Sequence, residues 1–91
     1  MATPIYTADT ESLRSVELEG LSVMFHARSG MTHILAPPSP EILDVLGEGP
    51  ADADGIVERL RARFDFPEAG GAEAVAARLS ELEAAGLVRR A

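Results

Sequence analysis

The chain contains no cysteine and no tryptophan. The missing cysteine excludes a disulfide framework, thiolate catalysis and a cysteine-based zinc site, and is compatible with the cytosol. Tyr6, Phe25, Phe64 and Phe66 are the aromatic residues, too few for a base-stacking platform. Positive charge is scarce: eight Lys and Arg against fifteen Asp and Glu give a net charge of −7. Such a surface repels phosphate backbones, so nucleic acid is disfavoured as a partner. No apolar run approaches the ~20 residues needed to span a bilayer. The opening MATPIYTADTESLRS lacks the basic and apolar blocks of a secretion signal. These absences lead us to expect a cytoplasmic protein with no membrane partner.

What is present is 46% hydrophobic and clearly periodic over 91 residues, which suits one small domain with one modest core. Residues 1–12 are polar, with Pro4 and no period. They read as a flexible tail, although Ile5 and Tyr6 can dock on the body. The domain proper is expected over 13–91.

From Ser15 the pattern alternates through Val16, Leu18, Leu21, Val23 and Phe25. Glu19-Gly20 is a hairpin turn that pairs Leu18 with Leu21 and Val16 with Val23. The next turn is either Ser29-Gly30 or all of 27–30. Both registers put Leu21, Val23 and Phe25 on one face with Thr32, Ile34 and Ala36. Both put Ser22, Met24, His26, Met31, His33 and Leu35 on the other. The first face is expected to be the core face. The result is an antiparallel meander of strands 13–18, 21–27 and 31–36.

Three helices are predicted to follow. Ser39-Pro40-Glu41 opens the first, with Ile42, Leu43, Val45 and Leu46 as its buried stripe. Asp52 caps the second, which buries Ile56, Leu60 and Phe64 and turns Glu58, Arg59 and Arg61 outward. Arg59, Arg61 and Arg63, offset by Glu58 and Asp65, read as a solvated face. The third spans about 72–85 with Val75, Ala76, Leu79 and Leu82 inward, and Gly86 lets Leu87 fold back. The fold class is α+β, winged helix-turn-helix-like: a three-stranded antiparallel sheet followed by three helices.

In a meander the outer strands are edges. The first carries Arg14, Glu17 and Glu19, as blunted edges do; Met31–Ala36 carries no charge. In either register Met31, His33 and Leu35 bond to the middle strand, so the backbone groups of Thr32, Ile34 and Ala36 point outward. Such a rim can take a guest strand, with Pro37 and Pro38 ending the rail. Alternatively, the third helix or the tail covers it.

Other constellations weigh less. His26 and His33 share a face without a third ligand, so no metal is expected. Met24, Met31 and Leu35 on that face form either a second interaction surface or a patch covered by the tail or a dimer mate. There is no Ser-His-Asp spacing, glycine-rich phosphate loop or metal cluster, so neither catalysis nor a cofactor is expected. The third helix presents Glu73, Arg78, Glu81 and Glu83, the wrong balance for a major groove. A DNA-binding winged-helix regulator is therefore the alternative.

The order of elements, with LEGLSVMFHARSGMTHILAPPSPEILDVL and the closing ARLSELEAAGLVRRA, resembles the PqqD family of RiPP recognition elements over about 13–91. SGMTH, APPSPEIL and ELEAAGLVRRA resemble its subgroup of HPr-rel-A system PqqD family peptide chaperones. The resemblance implies a non-catalytic adaptor that holds a precursor's leader peptide as an extra strand and presents it to a modifying enzyme. The strand would lie against the third strand, with the last helix as the other wall. Met31, Thr32, His33, Ile34, Leu35 and Ala36 are then candidate peptide-binding residues. Val75, Arg78, Leu79 and Leu82 would line or support the helix wall, with Arg78 facing an acidic group of the guest. An HPr-kinase-related protein is among the implied partners.

Overall fold

Alternation from residue 13 onward produces the expected meander. In the computed structural model, which describes residues 3–64 and 70–91, β2 (Leu13–Leu18), β3 (Leu21–His26) and β4 (Met31–Leu35) form an antiparallel sheet in the order β2-β3-β4. Leu18 faces Leu21 and Val16 faces Val23, as the two-residue turn dictates. Glu19 (φ 51°) and Gly20 (φ 84°) are both left-handed, the backbone that a type I′ turn requires. His26 faces Met31, so the second turn is the longer of the two alternatives, residues 27–30.

The helices are α1 (Ser39–Leu46), α2 (Ala53–Arg63) and α3 (Gly71–Ala84). Asp52 caps α2, its Oδ1 accepting from the Gly55 amide at 2.7 Å. Gly86 (φ 80°) ends α3 in the left-handed conformation, and the Leu87 amide donates back to the Leu82 carbonyl at 3.0 Å. Ile42, Leu43, Val45 and Leu46 of α1, Ile56, Val57 and Leu60 of α2, and Val75, Leu79 and Leu82 of α3 form the core with Leu87 and Val88. Phe64 and Ala76, expected inside, are exposed. Asp65, Phe66 and part of the 68–73 connector lie outside the described residues.

Three larger features of the fold also depart from expectation. First, residues 5–8, within the segment read as a loose tail, form a strand, β1 (Ile5–Ala8). It is the centre of a second sheet, between β5 (Ala51–Asp52) and β6 (Val88–Arg90). Tyr6 faces Ala51 on one side and Arg90 on the other, and Tyr6 and Ala8 pack on the core. These partners are remote in sequence, so no local period announces the strand.

Second, the face assignment of the meander is inverted. Ser22, Met24 and His26 are buried, with Leu13 and Leu35 half-buried against the core, while Leu21, Phe25 and Ile34 are exposed. Parity determines which side chains share a face. It does not determine which face meets the helices; the long-range packing of the helices does. Met24 and Leu35 are therefore not a free interaction patch, although Met31 stays exposed.

Third, Arg59 is not simply solvated. It is half-buried, and its guanidinium donates to the carbonyls of Val45 (3.1 Å), Gly49 (2.7 Å) and Pro50 (3.4 Å), clamping the α1–β5 connection. Arg63 bridges Glu48 and Asp44, both at 2.8 Å. The hydrogen bond that Arg63 donates to the Glu48 carboxylate is the main cause that raises its pKa above the ordinary arginine value.

Candidate functional site

The uncharged outer edge of β4 is the candidate site. Among the described residues β4 pairs with β3 alone. The Ala27 amide donates to the Ser12 carbonyl at 2.7 Å, so the odd-numbered backbone groups of this strand bond toward β2. By alternation, the even-numbered Ser22, Met24 and His26 bond to Leu35, His33 and Met31. The amides and carbonyls of Thr32 and Ile34 therefore point away from the sheet, and both residues are exposed. β1 lies in the other sheet and does not cover this edge.

The rail is shorter than 31–36. β4 ends at Leu35, and the Ala36 carbonyl already accepts from the Ser39 amide at 3.0 Å. At the other end the Met31 amide lies 3.3 Å from the Ser29 hydroxyl, which also sits 3.0 Å from His26 Nδ1. His26 is buried and partnered there. His33 is half-buried, and its Nε2 has no hydrogen-bond partner among the described residues. His33 lies opposite Met24, so the two histidines are diagonal neighbours. No group of three or more potential metal ligands occurs among the described residues.

The helix-wall residues fall into two kinds. Val75, Leu79 and Leu82 are fully buried, so they support α3 from within and line no groove. Arg78 is half-buried and already paired with Glu81 at 3.0 Å, so a guest carboxylate must compete for it. α3 packs principally on α1, α2 and β6, not on β4. Arg90 of β6 pairs with Glu83 of α3 at 3.2 Å.

Sequence reasoning missed a cleft of about 550 Å³ at the opposite side of the sheet. Leu13, Met24, Leu43 and Phe64 supply apolar walls, and Glu17, Glu41 and Asp44 supply acids. It joins β2, β3, α1 and the end of α2, elements whose juxtaposition no local pattern reveals. Among the described residues no helix is long and apolar enough to cross a membrane.

The chain is similar to TbiB1 in a complex with the TbiA(beta) leader peptide, at 18% identity and a TM-score of 0.64 over 91% of this chain and 94% of that one. It is also similar to a lasso peptide synthetase B1 complexed with the leader peptide, at 15% identity and a TM-score of 0.62 over 92% and 96%. At these identities the likeness is one of fold. A search of curated proteins gives no significant match. The family described as Coenzyme PQQ synthesis protein D (PqqD) matches residues 22–88. The match spans most of the chain, β4 included, and the chain belongs to the PqqD family.

Proposed function

We propose that the chain is a non-catalytic adaptor that binds the leader segment of a precursor peptide as a strand on the outer edge of β4 and presents it to a modifying enzyme. The observation that carries this reading is the uncharged edge that no other strand among the described residues pairs with, where Thr32 and Ile34 turn their backbone groups outward. Main-chain pairing there supplies affinity, and pockets for alternate side chains supply selectivity. The fold likeness to two leader-peptide complexes favours the same occupant. Met31, His33 and Leu35 shape the inner side of the strand, and Arg78 can exchange Glu81 for an acidic group of the guest. The partner enzyme belongs to the HPr-kinase-related class that the sequence resemblance implies, and co-purification tests it.

Ile34→Pro tests the edge. The lost amide points outward, so no ladder bond to β3 is broken and edge proline is tolerated. One guest bond is lost and the neighbouring one is disturbed, at ~0.5–1.5 kcal/mol each. Binding of a labelled synthetic leader peptide, followed by fluorescence anisotropy, should weaken roughly 5- to 100-fold. Ser15→Pro, at the opposite edge of the same sheet, should leave binding unchanged. Unchanged binding in Ile34→Pro with an intact circular dichroism spectrum refutes strand addition at β4. Loss only in Ser15→Pro moves the guest to the cleft beside β2.

A further inference from the structure

The sheet has a second surface that no element among the described residues covers, its outer face. Val16 (58% exposed), Leu18 (57%), Leu21 (45%), Phe25 (42%) and Ile34 (68%) all lie on it. The register sets them in contiguous rows: Val16, Val23 and Ile34 in the middle, Leu18 and Leu21 to one side, Phe25 with Arg14 and Thr32 to the other. An apolar patch of this kind on a small protein usually marks an interaction surface.

We propose that this face pairs with the same face of a second copy of the chain, about a two-fold axis lying between the sheets and perpendicular to the strands. Two observations select this occupant. The first is charge. Arg14 stands at one end of β2 and Glu19 at the turn beyond the other end, with Val16 and Leu18 between them on the outer face. That axis lays β2 over its counterpart in the reverse direction, so Arg14 of each copy meets Glu19 of the other. A surface whose charges are complementary to its own rotated image is the signature of an isologous contact. Arg14 Nη1 bonds the Glu11 and Leu13 carbonyls at 3.0 Å, which steadies the side chain and leaves its other donors for Glu19.

The second is area. The exposures correspond to on the order of 500 Å² per copy, so the pair removes roughly 1,000 Å², the lower bound for a specific interface. Two sheets stacked face to face with nearly aligned strands are an ordinary packing arrangement. Repulsion between two chains of net charge −7 opposes the contact. The result is a weak, concentration-dependent dimer that leaves the outward backbone groups of β4 free.

Sedimentation equilibrium of the full chain alone, from low micromolar to near-millimolar, tests this without any peptide. The weight-average mass should rise toward twice the monomer mass. Leu18→Glu and Val16→Glu, both at exposed positions, should keep the circular dichroism spectrum and melting temperature and stay monomeric throughout. Arg14→Glu and Glu19→Arg should each weaken association about tenfold, and the double variant should restore it. A wild-type chain monomeric at every concentration overturns the proposal and leaves the face to a different protein. Equal association of Leu18→Glu and wild type, or failure of the double variant to restore it, overturns it as well.

Discussion

Met24 and Phe25 are consecutive residues of one strand with opposite surroundings, and replacing each in turn measures which face of the sheet is the inner one. Met24 is 6% exposed and belongs to the core. Removing a buried methionine side chain costs ~2–5 kcal/mol, depending on how far the site can relax. Met24 also borders the cleft between β2 and α1, where neighbours can shift and water can enter. That argues for the low end, about 2 kcal/mol for Met24→Ala. Phe25 keeps 42% of its surface in solvent and lies beside Arg14 and Thr32. Phe25→Thr keeps strand propensity and loses mainly cross-strand contact, about 0.5 kcal/mol.

A domain of this length has a total stability of roughly 5–14 kcal/mol, so both variants should fold. At about 4–8 °C per kcal/mol, Met24→Ala should melt roughly 8–16 °C below wild type and Phe25→Thr about 2–4 °C below. Urea unfolding followed by circular dichroism, at low micromolar protein so that self-association does not contribute, gives both free energies, and a thermal scan under the same conditions gives both melting temperatures. The m-values should match wild type, since neither change alters the surface exposed on unfolding. A Phe25→Thr penalty larger than that of Met24→Ala would put the helices on the other face and refute the inverted sheet.

Two further outcomes bear on the fold. Arg59→Ala removes charge-assisted hydrogen bonds from the α1–β5 connection and should cost about 2 kcal/mol in the same urea titration, with Arg59→Lys intermediate because it lacks the planar fork. A cost below ~0.5 kcal/mol, the size of an ordinary surface substitution, would mean that the clamp is not formed. Deleting residues 1–8 removes the strand between β5 and β6, the bond from the Ala91 amide to the Ile5 carbonyl and the approach of Arg90 to the Tyr6 ring at 5.9 Å. It should cost about 2–4 kcal/mol and accelerate amide exchange in 88–91, because several backbone bonds at ~1 kcal/mol each go together. Unchanged stability and exchange would show that the segment is a tail after all.

Local spacing alone was enough to establish the three strands of the meander, the register of its first hairpin, the buried stripe of α1, the Asp52 cap and the left-handed stop at Gly86. Each follows from interactions within a few residues, where the chain has little choice. The uncharged run Met31–Leu35 was legible for the same reason, and with it the outward direction of the Thr32 and Ile34 backbone groups. The inward positions Val75, Leu79 and Leu82 of α3 were legible from their spacing as well, and they are buried as it indicated. Tertiary structure decided the rest. It chose the inner face of the sheet, placed Ile5–Ala8 between strands from the middle and end of the chain, turned Arg59 onto three carbonyls and used the Ala36 carbonyl to start α1. Alternation states which side chains belong together; only the long-range packing of the helices decides which group is covered and which is left for a partner.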